Sequence, residues 1–201
     1  MTQRTRKTTE VRQQQISEAA LLVIGQKGLT GATTSEIAAA AGISEGNLYR
    51  HFKNKEEIIK SVISRIGTEL VTILDSVQEL PDALQKLAAV FAQHLAFLEE
   101  HVGIPRTIFS EETLVVNENL RAQVRSVIAA YSQGLNKIIK QGQKEGLLDV
   151  RMDSHAIVGM FIGTIHFAVT RWMMSNFMVS LTDETDVLWR NFARGIVQKK
   201  D

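Results

Sequence analysis

Residues 33–58 read TTSEIAAAAGISEGNLYRHFKNKEEI, and this stretch decides the fold. Thr33 and Glu36 have the Thr-x-x-Glu spacing of a capping box, which opens a short helix through Ala41. Gly42 supplies the left-handed conformation that ends it. Ser44 caps the next helix, which carries Leu48 and Phe52 inward at i and i+4, and Asn54 with Glu57 opens a third. Two short helices joined by a Gly-containing turn over a core of Ile37, Ala38, Ile43 and Leu48 describe a helix-turn-helix. Upstream, Ile16, Ala20 and Val23 share the face of a supporting helix, with Lys27-Gly28 as its C-terminal cap.

Helical periodicity continues downstream. Ile59, Val62, Ile63, Ile66, Leu70, Ile73, Leu74 and Val77 form a stripe within residues 54–79, a helix of about 39 Å at the usual rise per residue. Leu84, Leu87, Ala88, Phe91, Leu95 and Leu98 repeat the pattern after Pro81, which suits a helix's first turn. Leu120, Val124, Val127, Ile128, Tyr131, Leu135, Ile138 and Ile139 give another long stripe before Gly142 and Gly146. No segment alternates with period 2 for more than a few residues, so the expectation is an all-α fold. Residues 154–170 are apolar nearly all round, which predicts a helix buried on more than one side. The stretch contains His166 and ends at Arg171 before reaching the ~20 residues of a membrane span, so no membrane partner is expected. In 183–198 two adjacent rows, Leu188, Phe192, Ile196 and Trp189, Ala193, Val197, are too wide for one small neighbour. The last two helices are therefore assigned to a subunit interface, through Phe167, Leu188, Trp189, Phe192 and Ile196.

Composition removes several classes of function. The 201 residues are 44% hydrophobic and 22% charged, the balance of a globular chain. With no Cys there is no disulfide framework, thiolate metal site or cysteine nucleophile. The basic start MTQRTRKTTE is not followed by an apolar segment, so no secretory signal is expected and a cytoplasmic location is. The net charge of +1 is uneven: residues 1–60 carry nine basic and six acidic residues, and the remainder is mildly acidic. A basic front suggests a polyanion partner. Gly42 to Gly46 also fit the G-x-S-x-G nucleophile elbow, but that elbow needs a preceding strand and Glu36 to Ala41 are helix formers. No paired carboxylates, catalytic triad, phosphate-cradling loop or metal-spaced cluster appears, so neither an enzyme nor a cofactor is expected.

The sequence T-T-x-x-I-A-x-x-A-G-I-S-x-G-x-L-Y-x-H-F-x-x-K-E, from Thr33 to Glu56, resembles the DNA-binding signature of the tetracycline-repressor (TetR) family. That resemblance implies about nine helices, an N-terminal three-helix DNA-binding domain, a C-terminal helical bundle with an effector pocket, and a homodimer. The division is placed at residue 54, with an arm over 1–8, the DNA-binding domain within 1–54 and the effector and dimerisation domain over 55–201. In such a protein two recognition helices ~34–36 Å apart enter successive major grooves of a near-palindromic operator. The implied function is a ligand-responsive repressor; an activator of the same family, or a helical small-molecule-binding protein with a vestigial motif, are the alternatives.

Each matching residue has a chemical role to play on double-stranded DNA. Thr33, Thr34 and Ser44 offer hydroxyls and helix-start N–H groups to phosphate oxygens. The resemblance places Tyr49 and His51 on backbone phosphates, and Lys55 adds a cation to a further phosphate. Gly46 lets the helix backbone approach DNA closely. Glu45 and Asn47 are assigned to base edges, with Glu accepting from cytosine N4 and Asn pairing with adenine; Arg50 reaches guanine or a phosphate. Arg4, Arg6, Lys7 and Arg12 form a basic arm. Farther on, Phe91, His94, Phe97, Arg106, Phe109, Phe161, His166 and Trp172 are assigned to the effector pocket. Because no Asp or Glu occurs from Ser154 to Thr182, the expected effector is apolar and neutral or anionic, with a fatty-acyl compound as one form. Arg190, Arg194, Lys199 and Lys200 are expected on a solvated face, and Gly159-x-x-x-Gly163 at a close helix contact.

Overall fold

The structure, a computed structural model, describes residues 9–198. The arm residues Arg4, Arg6 and Lys7, and also Lys199 and Lys200, lie outside that range. Among the described residues there are nine α-helices and no strand beyond one isolated bridge, Leu148 to Val197. They are α1 (Thr9–Gly31), α2 (Thr34–Ala40), α3 (Glu45–Leu48), α4 (Lys55–Ser76), α5 (Ala83–Glu100), α6 (Gly103–Ile108), α7 (Glu118–Lys144), α8 (Ser154–Met174) and α9 (Thr185–Ile196). A π-helical turn, Glu112–Val116, precedes α7, and a 3₁₀ turn, Thr182–Glu184, precedes α9. The chain forms two compact units. One takes the chain up to Ile66 together with His101–Arg125; the other takes Gly67–Glu100 together with the chain from Ser126 onward.

In the first unit, α1 buries Ile16, Ala20, Val23 and Ile24 along one face. It changes direction at Gly28, whose φ of 76° is left-handed, so Leu29–Gly31 form a separate last turn. Arg12 belongs to this helix and not to an arm. The capping box forms in full: the Thr33 hydroxyl accepts from Glu36 N–H at 3.2 Å and Thr33 N–H donates to the Glu36 carboxylate at 3.1 Å. Gly42 ends α2 at a φ of 66°. Ser44 Oγ accepts from Asn47 N–H at 3.2 Å and opens α3, which is a single turn extended by further turns through His51. Leu48 and Phe52 from this segment are 0% and 5% exposed. Asn54 Oδ1 accepts from Glu57 N–H at 2.9 Å, and the Glu57 carboxylate accepts from Lys53 N–H at 2.8 Å, so α4 starts where its sequence says.

The same unit packs α1 against α6 by close backbone approach. A Cβ on Gly103 would fall 2.1 Å from the Leu21 carbonyl oxygen, and one on Gly25 would fall 3.3 Å from Gly103 N. Glu56 ties α4 to the start of α7, accepting from Asn117 and Asn119 side-chain amides at 3.1 Å each. Asn117 Oδ1 in turn caps α7 by accepting from Leu120 N–H at 3.1 Å.

In the second unit the rest of α4 and α7 pack closely at two glycines: a Cβ on Gly67 would meet Val127 at 2.9 Å and one on Gly134 would meet Leu74 at 2.4 Å. Pro81 stands before α5 and not in its first turn; Asp82 caps that helix, its carboxylate accepting from Gln85 N–H at 2.9 Å. Asp153 caps α8 by accepting from Ala156 N–H at 2.9 Å. The loop after α8 puts two consecutive non-glycine residues, Asn176 and Phe177, at φ of 52° and 62°. Glu99 anchors its far end, accepting from Leu181 N–H at 2.6 Å and from the Thr182 hydroxyl.

Two expectations about the last helices need correcting. By length and composition α8 is apolar enough to cross a membrane, yet it is buried on one side only. Ile157, Phe161, Ile165, Ala168 and Val169 face the core, while Phe167 and Met174 are 67% and 82% exposed and, among the described residues, a Cβ added to Gly159 or Gly163 would stand in open space. Phe192 and Ile196, assigned to the subunit interface, are 7% and 0% exposed inside the protomer. Phe192 lies 5.5 Å, edge to face, from Phe161, which itself packs edge on to Phe91 at 5.4 Å. Leu188 and Trp189 are half-buried, and Trp189 leans on Phe91 and Phe192.

Candidate functional site

The helix-turn-helix presents an exposed ridge of Ser44, Gly46, Tyr49 and Arg50, with Thr33 also exposed in the same head. Tyr49 is 49% exposed, although an aromatic ring of its size gains by burial. Gly46 has an ordinary helical backbone and open space where a side chain would stand. Nothing within the protomer therefore requires glycine there, and a missing Cβ is useful to whatever approaches from outside. Arg50 is exposed, and Asn47 is half-exposed with its backbone N–H held by Ser44.

Three of the assigned residues are joined to one another. The Thr34 hydroxyl donates to the Glu45 carboxylate at 2.6 Å and lies 3.2 Å from the Tyr49 hydroxyl. This triad bridges α2 and α3 across the turn. On the opposite edge of α2, Lys27 pairs with Glu36. That contact, with the Thr33 hydrogen bonds, holds the Glu36 carboxyl down at about 2. His51 is less available than expected: its carbonyl accepts from the Gln13 side chain at 3.1 Å, and its Nδ1 is buried without a hydrogen-bond partner.

Lys55 differs from its assignment. Its ammonium donates to the Leu29 carbonyl oxygen at 2.6 Å within the protein itself. Burial lowers its pKa, with the nearby Glu112 carboxylate working the other way. The amine lines a half-open cavity of about 300 Å³, shared with Thr30, Glu56, Glu112 and Asn117 among others. The physical reason is local: the break at Gly28 leaves the last turn of α1 with unsatisfied carbonyls, and a cation at a helix C-terminus satisfies them.

The residues assigned to an effector pocket divide between the units. Arg106 and Phe109 lie on and just after α6, in the first unit; Phe91, His94, Phe97, Phe161, His166 and Trp172 lie in the second. Phe91 and Phe161 are fully buried against each other. His94 Nδ1 is 2.9 Å from the Tyr131 hydroxyl, with the rings edge to face at 5.2 Å. Burial pulls His94 down to about 3, His166 adding to the effect, and burial raises Tyr131, so both are neutral near pH 7. His166, more open, is also lowered by burial. Trp172 does other work: its indole N–H donates to the Val179 carbonyl at 2.8 Å and its ring meets Phe177 edge on at 4.7 Å, holding the left-handed loop. Sequence reading missed Tyr131, which it counted as core, and the buried Lys86, whose ammonium donates to Gln141 Oε1 at 3.4 Å.

Comparison with known proteins covers nearly the whole chain. Residues 16–62 match the model of bacterial regulatory proteins, tetR family, and residues 63–195 match the model of the YsiA-like protein C-terminal region. The fatty acid metabolism regulator protein of Bacillus subtilis (strain 168) is 29% identical over 165 residues, 81% of this chain and 84% of that protein. The nucleoid occlusion factor SlmA of Vibrio cholerae is 24% identical over 180 residues, 89% of this chain and 92% of that protein. Among solved structures, FadR of Bacillus subtilis in complex with stearoyl-CoA is similar with a TM-score of 0.80 and 28% identity, covering 91% of this chain and 98% of that one. FadR of Bacillus halodurans gives 0.84 and 26%, covering 95% and 98%.

Proposed function

The chain belongs to the tetR family of bacterial regulatory proteins, and from that membership we propose a repressor whose hold on its operator is released by a long-chain fatty-acyl thioester. The observation that carries the choice of effector is the likeness to the Bacillus subtilis FadR structure with stearoyl-CoA, which extends over 98% of that chain. The chemistry of the second unit agrees. Its buried polar groups include the neutral His94–Tyr131 pair and Lys86, and α8 carries no carboxylate. A buried cationic ligand would lack a counter-charge there, whereas an acyl chain asks only for apolar surface. Phe91, Phe97, Phe161 and His166 are assigned to line it.

On the DNA, Thr33, Thr34, Ser44 and Tyr49 hold phosphates, Gly46 permits close approach, and Glu45, Asn47 and Arg50 face base edges. The protein acts as a homodimer in the cytoplasm. Its dimer contact is the face of α8 with Gly159, Gly163 and Phe167, joined by the open side of α9 near Trp189. Release needs an effector that favours one spacing of the two heads over the other, since equal affinity for both would shift nothing.

The test is fluorescence anisotropy with a duplex enriched by the protein from a random pool. Stearoyl-CoA and palmitoyl-CoA are expected to release it at low micromolar concentration, while coenzyme A and cationic dyes leave it bound. Release by cationic dyes alone would refute the effector assignment.

A further inference from the structure

We propose that Glu45 is a specificity-determining residue that acts by opposing DNA, holding the head off duplexes that place no cytosine N4 donor within reach of its carboxylate. The proposal rests on the reading of the chain as a DNA-binding repressor. Its second basis is the triad: the Thr34 hydroxyl donates to Glu45 at 2.6 Å and is 3.2 Å from the Tyr49 hydroxyl. Both hydroxyls belong to the face assigned to phosphates; Thr34 is bonded to a carboxylate of the same chain, and Tyr49 is linked to that carboxylate through Thr34. Glu45 is half-buried and Tyr49 half-exposed, so the group stands at the rim of the exposed ridge and not in the core.

Three consequences follow from the chemistry. A phosphate oxygen that seeks the Thr34 hydroxyl must displace a charge-assisted hydrogen bond of normal strength or better. The displaced carboxylate then lies near a row of phosphates, where like charges repel. On a duplex that presents cytosine N4–H₂ in the major groove at the right step, the carboxylate accepts that donor and the repulsion is offset. On other sequences it is not. Glu45 thus lowers the affinity of the head for DNA in general and gives part of it back at one base pair, which is discrimination by penalty as much as by attraction.

The experiment compares the wild-type chain with Glu45→Gln and Glu45→Ala on two duplexes, at three salt concentrations. One duplex is the sequence the wild-type protein enriches from a random pool; the other is an alternating dA–dT duplex, which has no cytosine N4 donor and carries only adenine N6 amino groups, at a different place across the groove. Gln keeps an acceptor for Thr34 and removes only the charge, while Ala removes both. Thermal melting confirms that each variant is folded, and Ala stands in if Gln is not. The expected result is an affinity for the dA–dT duplex raised about fivefold by Gln and about tenfold by Ala, with no gain on the enriched duplex. A variant that loses affinity on the enriched duplex and gains none on dA–dT would show a plain base reader and overturn the proposal. Equal changes on both duplexes would overturn it also. If the wild-type chain binds neither duplex at low salt, the repressor reading falls and this inference with it.

Discussion

The Lys55 ammonium donates to the Leu29 carbonyl oxygen at 2.6 Å, joining the first turn of α4 to the last turn of α1. These two elements bracket the helix-turn-helix in sequence, so one side chain closes the head on itself. The geometry makes Lys55 a cap for α1.

Lys55→Met removes this cap and leaves a carbonyl oxygen beside the cavity without its donor. The expected cost is about 1–2 kcal/mol, read from the midpoint of urea unfolding. The salt dependence of DNA binding should keep its slope, because no phosphate contact has been lost. A slope reduced by about one would show instead that the ammonium leaves Leu29 for the DNA.

Glu36 gives a pH-dependent test of the capping box. Its folded pKa of about 2 lies below its ordinary value of 4.5, because Lys27 and Thr33 hold its charged form. A depressed carboxylate contributes stability above the unfolded value, and that contribution is lost as pH falls toward the folded one. Glu36→Gln should therefore melt below wild type at pH 7. The two curves should converge as pH falls from about 4.5 to about 2. A difference that persists unchanged across that window would mean the ion pair is not the source.

His94 titrates in the opposite sense from a paired histidine. Burial holds its pKa at about 3 against an ordinary 6.5, so the unfolded chain takes up a proton that the folded chain refuses. Stability is full above 6.5 and declines as pH falls toward 3, at most about 1.4 kcal/mol per pH unit from this group. Replacing His94 by Gln should flatten the decline in unfolding free energy between pH 7 and pH 5. An unchanged slope would assign the acid sensitivity elsewhere.

Phe192 and Phe167 separate protomer stability from association. Phe192 is buried on Phe161, and Phe192→Ala should destabilise by about 3–5 kcal/mol. Phe167 is 67% exposed, so Phe167→Ala should shift sedimentation toward monomer while the circular dichroism spectrum is retained. A Phe167→Ala protein that remains a full dimer at nanomolar concentration would move the contact off this face.

What the sequence disclosed is what local spacing controls. Thr33 with Glu36, Ser44 with Asn47, and Gly42 at its left-handed angle act within four residues, and each forms as read. Side chains with a choice of distant partners were less legible. Lys55 selects a carbonyl 26 positions away that is open only because α1 breaks at Gly28. Thr34 meets Glu45 only after the turn has folded. The apolar rows of α9 announce two neighbours without saying which row meets its own chain, and it is the row of Phe192 and Ile196 that is buried inside the protomer. Nothing in residues 103–109 said that this short helix packs with the head, since its signal is a glycine fitted against a backbone carbonyl.

The crossing of α1 and α6 at Gly25 and Gly103 leaves no side chain between the two backbones. Elsewhere, a small shift of one helix is absorbed by rotamers that tilt or swing. Here there are none to yield, and the joint behaves as a bearing without slack. Gly103→Ala would drive its Cβ into the Leu21 carbonyl oxygen and force the two backbones apart.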